Sequence, residues 1–336
     1  MCCHYVIVQE HYFLTWRSYK YNPLRECHGI RKEIIMVKCK IDNIEFKLKE
    51  YQDFSWINDY GIVFSVIDET GSGCISFGVQ KDNKKYFIKI AGAKTVEAEI
   101  SEQESIDLLK DAVEKYKSIH HQNLIKYIDS FDINEFFAVI FEYADGECLF
   151  DHWNFEKYKN DSTLITPIQK FKKLEISKRL DVVYKLFSFF ETFINAGYVA
   201  VDFYDSSIIY NFEKEEATFC DIDLFRKLPT KNDLGKDYYG TKRLKAPEEN
   251  ELGATIDELT NEFTLGAIIF DIFSNVSNND KRYEIGMFIP NDLEEFELNT
   301  KTYNVLLKAT NYDRNNRYTS INEFEVEFRK SLEEKK

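Results

Sequence analysis

Apolar and polar residues alternate from Met36 through Lys49, and strand-like runs rich in β-branched and aromatic residues follow at 61–67, 74–80 and 85–91. Turn-forming residues separate these runs, at Asp68 to Gly73 and at Asp82-Asn83. The pattern predicts a three-strand meander whose last strand carries Lys89. Over 97–119 the period changes: Ile106, Leu109, Val113 and Tyr116 fall on one stripe, which predicts a helix. Residues 124–128 and 136–141 return to strand. Beyond Gly146 the chain reads as helical, with a long amphipathic helix at 176–196 and apolar helices at 263–273 and 302–310. No internal repeat is visible. Residues 1–35 sustain neither period, and are either a genuine N-terminal extension or a poorly ordered leader ahead of a start at Met36.

A chain of 336 residues is long enough for more than one packed unit. Phe (28) and Tyr (21) are abundant while Pro (5) and Gly (13) are scarce, which argues against extensive disorder. The formal net charge of −14 argues against a general nucleic-acid or anionic-membrane binder. No apolar run approaches the ~20 residues needed to span a bilayer, so no membrane insertion is expected. The seven Cys include no C-x-x-C, and the six His are dispersed, so reduced thiols in a cytoplasmic setting are the simplest expectation.

Four short stretches then stand in a fixed order: Tyr86-Phe87-Ile88-Lys89, Val199-Ala200-Val201-Asp202, Cys220-Asp221-Ile222-Asp223 and Ala246-Pro247-Glu248. Lys89 lies in an apolar strand whose alternate positions, Phe87 and Ala91, are also apolar, which is unusual for a solvated edge lysine. Asp202 follows the long helix, and Asp221 comes 19 residues later. Gly71-Ser72-Gly73, between two strands, has the composition of a loop that lays backbone N–H groups on phosphates or of an ordinary hairpin turn.

In this order and at these separations the stretches resemble the eukaryotic-type (Ser/Thr) protein kinase family over roughly residues 50–330, as a divergent and bacterial copy. The resemblance implies an α+β, two-lobed protein kinase-like fold: an atypical extension at 1–35, a small antiparallel β-lobe at 36–145 and a large α-helical lobe at 146–336. It implies ATP and Mg²⁺ as cofactors and an unidentified protein substrate, with no nucleic acid as partner. Lys89 would grip phosphates, Asp202 would orient the acceptor hydroxyl and take its proton, and Asp221 and Ser207 would hold the metal. Gly71, Ser72 and Gly73 would cover the phosphates. The backbone of Glu142 and Ala144 would meet adenine, behind Phe141.

Departures from the family pattern qualify that picture. Ala200 and Val201 replace His and Arg, Tyr204 stands where Ser/Thr-type kinases place a phosphate-touching Lys, and Ser207 replaces a metal-binding Asn. Asp205 is the alternative ligand there, and Asp223, which replaces a Gly, either approaches metal or caps the next turn. Counting back from His121-Gln122-Asn123, the usual Glu partner of Lys89 falls on Ala112, between Asp111 and Glu114, and Glu97 or Glu99 would have to substitute. A rival phosphate-loop register uses Tyr60-Gly61-Ile62-Val63-Phe64. Arg317 is expected to pair with Glu248, and Asn261 stands in for an Asp. Thr230, Tyr238, Tyr239 and Thr241 are candidate phosphosites by position. The resemblance is consistent with an active Ser/Thr-type kinase, with a pseudokinase that binds nucleotide or partners only, and with a small-molecule (aminoglycoside-type) phosphotransferase.

Overall fold

The structure, a computed structural model, describes residues 4–6, 36–151, 154–161, 163–275 and 279–333. Apart from 4–6, the segment read as an atypical extension lies outside the described residues. The chain divides into two compact bodies, one formed by residues 1–114 and 125–144 and the other by 115–124 and 145–336.

The first body is mainly antiparallel sheet. Strand β1 (His4–Val6) pairs with β2 (Met36–Ile41), which forms a hairpin with β3 (Ile44–Leu48). The alternation read from Met36 to Lys49 is this hairpin. Then β4 (Ile62–Ile67), β5 (Cys74–Lys81), β6 (Lys84–Ala91), β7 (Tyr127–Ile133) and β8 (Phe136–Glu142) form one sheet in the order β4-β5-β6-β8-β7. One face of it, with Ile75, Phe77, Ile88 and Ile90, packs on Phe46 and Leu48 of the hairpin and on Phe54 and Ile57. Phe54 stacks on Phe136 with centroids 4.7 Å apart, and Phe46 meets Phe77 edge-on at 5.4 Å. Each fully buried aliphatic or aromatic side chain of this kind contributes about 1.5–3 kcal/mol. Because β6 spends Ile88 and Ile90 on that core, the period of two puts Phe87, Lys89 and Ala91 on the opposite face.

Helix α1 (Glu102–Ser118) starts five residues later than the range 97–119 read from the sequence. Ser101 fixes the start: its N–H donates to Glu104 Oε2 at 2.9 Å while its Oγ accepts the Glu104 N–H at 3.3 Å, a capping box that ends the irregular stretch from 97. The stripe is otherwise as read, with Leu109, Val113 and Tyr116 buried and Ala112 joining them. Strand β7 likewise begins at Tyr127 rather than at Leu124. In the second body Leu124 makes a parallel bridge to Phe219, and the Asn123 carbonyl accepts the Phe219 N–H at 2.6 Å. That bridge takes the apolar start of the run away from the sheet.

The second body is mainly helical. Its elements are β9 (Glu147–Cys148), α2 (Phe155–Asn160), α3 (Pro167–Lys172), α4 (Ile176–Asn195), β10 (Tyr198–Val199), β11 (Ile208–Asn211), β12 (Glu216–Phe219), β13 (Arg226–Lys227), β14 (Thr230–Lys231), β15 (Thr255–Ile256), α5 (Glu258–Ile272), α6 (Asn279–Ile285), α7 (Thr300–Ala309) and α8 (Ile321–Glu333). Phe187 of α4 packs edge-on against Phe324 of α8 at 4.9 Å, and Phe190 and Phe193 turn toward Phe203 and Phe225. Helix α5 is buried almost all round and carries Asn261 and Glu262 into the interior, where each finds a backbone group. With antiparallel sheets in one body and helices dominating the other, the fold class is α+β.

The expected pair of Glu248 and Arg317 forms, with both side chains buried. Two parallel contacts of 2.7 and 3.0 Å join them, and Arg317 also donates to the carbonyls of Asn311 and Leu259. Burial raises the Glu248 carboxyl, but the hydrogen bond and charge of Arg317 outweigh it and hold the group below its ordinary value of 4.5. The folded chain therefore stays deprotonated here to lower pH than the unfolded chain. The pair stabilises above the ordinary value, and that stabilisation is lost as pH falls through the depressed one. Arg317→Met should destabilise the chain by about 3–5 kcal/mol at pH 7, because it strands a buried carboxylate. Urea unfolding should show a smaller loss for Arg317→Met combined with Glu248→Gln; equal losses would refute the coupling.

Candidate active site

In the first body, Lys89 is half-buried on β6, opposite Ser76 of β5 and Val139 of β8. The 71–73 turn joins β4 to β5 at the strand end two residues beyond Ser76. Its carbonyls are tethered: Gly71 O accepts the Glu99 N–H at 2.9 Å and Gly73 O accepts the Ala93 N–H at 3.1 Å. Gly71 and Ser72 are exposed, and Gly73 is buried. The rival stretch at 60–64 lies at the other end of β4. There Tyr60 stacks on Phe131, and a β-carbon at Gly61 would strike the Gln80 carbonyl. The register geometry therefore puts the 71–73 turn, and not 60–64, at the end of the sheet nearer Lys89.

Phe141 is buried, facing Phe87 and Tyr127 across its neighbouring strands. The Glu142 N–H donates to the Lys126 carbonyl at 2.9 Å, which removes that donor from contention for a base edge. The Glu142 carboxylate meets Lys126 at 2.5 Å, and Ala144 sits half-buried outside regular structure. On α1, Ala112 is fully buried while Asp111 and Glu114 are exposed; Glu97 is half-buried and Glu99 exposed.

In the second body the loop around Asp202 is anchored at both ends. Helix α4 ends at Gly197, whose φ of 81° is the left-handed geometry glycine favours. Strand β10 then pairs with β13, and the side-chain amide of Asn261 closes on one peptide: the Ala200 N–H donates to Asn261 Oδ1 at 2.7 Å, and Asn261 Nδ2 donates to the Ala200 carbonyl at 2.9 Å. An Asp at 261 would lack the second of these donors. Phe203, just past Asp202, is sunk among Phe190, Phe219 and Phe225. After the 3-10 turn at Asp205–Ser207, β11 and β12 form a hairpin that leads to Asp221. The Ser207 carbonyl accepts the Cys220 N–H at 2.9 Å, tying the two arms together. Asp202 and Asp221 both have positive φ, 62° and 59°. Each such residue costs about 1 kcal/mol or more unless its surroundings enforce it.

Asp202 faces a small pocket lined also by Ala200, Gly240, Thr241, Lys245 and Glu249. Burial, reinforced by the Asp221 charge, pushes its carboxyl up to about 8, against the pull of Lys245. Burial likewise pushes Glu249 up to about 7, although its Oε2 accepts the Ala246 N–H at 2.7 Å and Lys245 is nearby. Lys245 is itself buried, and its ammonium donates to the Tyr238 carbonyl. Desolvation lowers it, while Glu249 and Asp202 oppose that shift.

Ser207 is fully buried, and its hydroxyl lies 3.5 Å from the Tyr204 N–H. It would have to give up that contact to enter a metal shell. Asp205 is committed to Arg243, which also reaches Asp271 at 2.9 Å. Asp223 accepts the Tyr116 hydroxyl at 2.8 Å, and its carbonyl accepts Lys115 at 2.6 Å, so it holds the last turn of α1. Asp221 thus fits as a carboxylate ligand better than Ser207 fits as its partner. Among the described residues no group of three or more His, Cys, Asp or Glu forms a metal cluster. Mg²⁺ needs none where phosphate oxygens and water complete its shell.

Sequence reasoning missed Lys245 and Glu249. The available signal was a lysine set between two apolar residues, Leu244 and Ala246.

No family model matches the chain. A serine/threonine-protein kinase of Arabidopsis thaliana, TIO, is 24% identical over 220 residues, which is 62% of this chain and 14% of that protein. The chain thus spans only a small fraction of that relative's length. The relationship is kinase-like. No described helix is long and apolar enough to cross a membrane.

The two raised carboxyls have a consequence for stability. In the folded chain Asp202 and Glu249 hold protons that the unfolded chain has already released, so stability falls as pH rises from about 4 to about 8. Asp202→Asn removes one of these groups. Its melting temperature should exceed that of the parent by roughly 3 °C or more at pH 8, with the gap closing by about pH 4. A gap independent of pH would contradict the burial of this carboxylate.

Proposed function

We propose that this chain is an ATP- and Mg²⁺-dependent phosphotransferase of the Ser/Thr protein kinase type, acting on a protein hydroxyl. The observation that carries the reading is the anchored, half-buried Asp202 lining a small pocket, on a loop whose far arm ends at Asp221. The kinase-like relative is consistent with it. In its deprotonated form Asp202 orients the acceptor hydroxyl and receives its proton as the acceptor oxygen bonds to the γ-phosphorus. The bond from that phosphorus to the β–γ bridging oxygen breaks, and ADP leaves. When bound, Mg²⁺ would neutralise phosphate charge and the Asp221 carboxylate, with Ser207 as a weaker second ligand. Lys89 is assigned to the phosphates, Gly71, Ser72 and Gly73 to covering them, and the backbone of Glu142 and Ala144 to adenine. A cytoplasmic setting belongs to the same reading, since the cysteines are scattered along the sequence without C-x-x-C spacing.

A second reading, a pseudokinase, is favoured by two observations. Ser207 is sealed in the interior, and Ala112 occupies the helix position where a carboxylate partner for Lys89 is expected. Calorimetric titration of Mg·ATP, with γ-phosphate transfer to a generic protein substrate followed in the same samples, separates the two. The kinase reading expects binding and transfer, with Lys89→Ala weakening binding roughly tenfold or more and Asp221→Asn abolishing transfer. Binding with neither transfer nor hydrolysis of the γ-phosphate would favour the pseudokinase. No binding at millimolar nucleotide would end both nucleotide readings.

A further inference from the structure

Tyr204 occupies the loop position at which the resemblance leads one to expect a cation, and its phenol is buried beside Asp202. The nearest positive charge in the pocket comes from elsewhere in the chain. Lys245 precedes Ala246-Pro247-Glu248, 43 residues after Asp202 in sequence. It is 3% exposed and lines the same pocket as Asp202 and Glu249. A β-carbon built at Gly240 would lie 3.6 Å from Lys245 Cε and 4.0 Å from the Asp202 Cα, so both residues flank one glycine. That glycine has φ 105°, which disfavours a side chain in the space where the two meet.

A lysine buried only to hold architecture would be expected in a closed ion pair. Lys245 instead donates to a carbonyl, that of Tyr238, and lines one pocket with the carboxylates of Glu249 and Asp202. The charged groups around it are Glu249, Asp202, Lys242 and Asp237. Its stem is held between Leu244 and Ala246, both buried, and its head is tied to the start of the segment that it closes. The ammonium therefore ties the start of the 238–245 segment to the pocket that Asp202 also lines.

We propose that Lys245 is the positioning cation of this site, holding Asp202 toward the acceptor and supplying from the 238–245 segment the charge that the loop lacks at Tyr204. The proposal rests on the phosphotransfer reading. It makes the segment that would meet a protein substrate also the segment that orients the base, so that displacing the one misaligns the other.

Release of inorganic phosphate from Mg·ATP by the full chain, with water as acceptor, tests this without knowledge of the natural substrate. Calorimetry on the same samples gives nucleotide affinity. Lys245→Met should lower the turnover number roughly tenfold or more, with affinity changed by less than about twofold. Lys245→Arg should recover most of the rate, and Lys242→Met, which removes a neighbouring exposed charge, should leave it unchanged. Adding Lys245→Met to Asp202→Asn should give no further loss, because the two act as a unit. Parental or faster turnover in Lys245→Met overturns the proposal, as does full additivity with Asp202→Asn. If the Met variant does not fold, Lys245→Gln, which keeps a donor for the Tyr238 carbonyl without the charge, decides the matter: parental turnover there overturns it. A parent chain that neither binds nor hydrolyses Mg·ATP refutes the phosphotransfer reading itself, and this role falls with it, whereas an active parent with an unaffected Lys245 variant refutes the role alone.

Discussion

Holding the half-buried Asp202 at the wall of a small pocket on a left-handed backbone is the constraint on which the rest of the second body turns. Neither feature is favourable by itself. The backbone conformation is strained for a residue with a β-carbon, and a buried carboxylate lacks the hydration that stabilises its charge. Both persist because the flanking residues leave the loop no alternative. Asn261 closes both hydrogen bonds of the preceding Ala200 peptide, Phe203 is locked among aromatic rings, and Ser207 ties the returning arm to Cys220. Helix α5, apolar nearly all round, is needed to bring Asn261 to that point, and Gly266 on it passes so close to Thr310 that a β-carbon would approach its methyl to 2.9 Å.

The charges of this body fall into two kinds. Arg243 and Arg282 converge on Asp271, Arg243 also meets Asp205, and Arg317 closes on Glu248. In each case a guanidinium faces carboxylate oxygens, the geometry that recovers most of the desolvation cost. Asp202 and Glu249 are different: two carboxylates line one pocket with a lysine whose ammonium is bonded to a carbonyl instead. The first kind orders the architecture, holding the 3-10 turn after the loop and the segment around Ala246. The second kind leaves charge incompletely balanced at a pocket, and groups in that condition respond to whatever enters it.

Much of this was legible from residue pattern. The alternation in 36–49 and the β-branched and aromatic runs at 61–67, 74–80 and 85–91 marked the strands; in 36–49 one face is buried and a slip of one residue would expose it. The Glu248–Arg317 pair was legible because both partners sit in recognisable local motifs. What pattern did not show depended on contacts distant in sequence. The apolar run at Leu124 looks like strand until Phe219 claims its first residue as a bridge, and Asp205 looks like a metal ligand until Arg243 occupies it. The range read for α1 began at 97, ahead of its true start, because periodicity carries no information on caps, although Ser101 and Glu104 stand at the spacing a capping box requires. Lys245 escaped notice because a lysine beside a motif reads as solvent-facing until the pocket around it is seen.

The departures at Ser207 and Ala112 favour a lost activity, but physically they are not equivalent to what is kept at Asp202 and Lys245. Ala112 and Ser207 are filled positions: each is buried without charge, and each stabilises its surroundings as it stands. A chain serving only as a scaffold could make the same replacement at Asp202 and gain stability, since asparagine would keep the shape and discard the burdensome charge. It could likewise replace Lys245 by a neutral residue, once no carboxylate needed it. The pocket instead keeps an acid strained by burial and a base strained by burial, each easing the other's charge. Mutual compensation of that kind has little value to packing. It has value where a proton must be accepted beside a group that carries negative charge, which is the condition under which a phosphoryl group meets a hydroxyl.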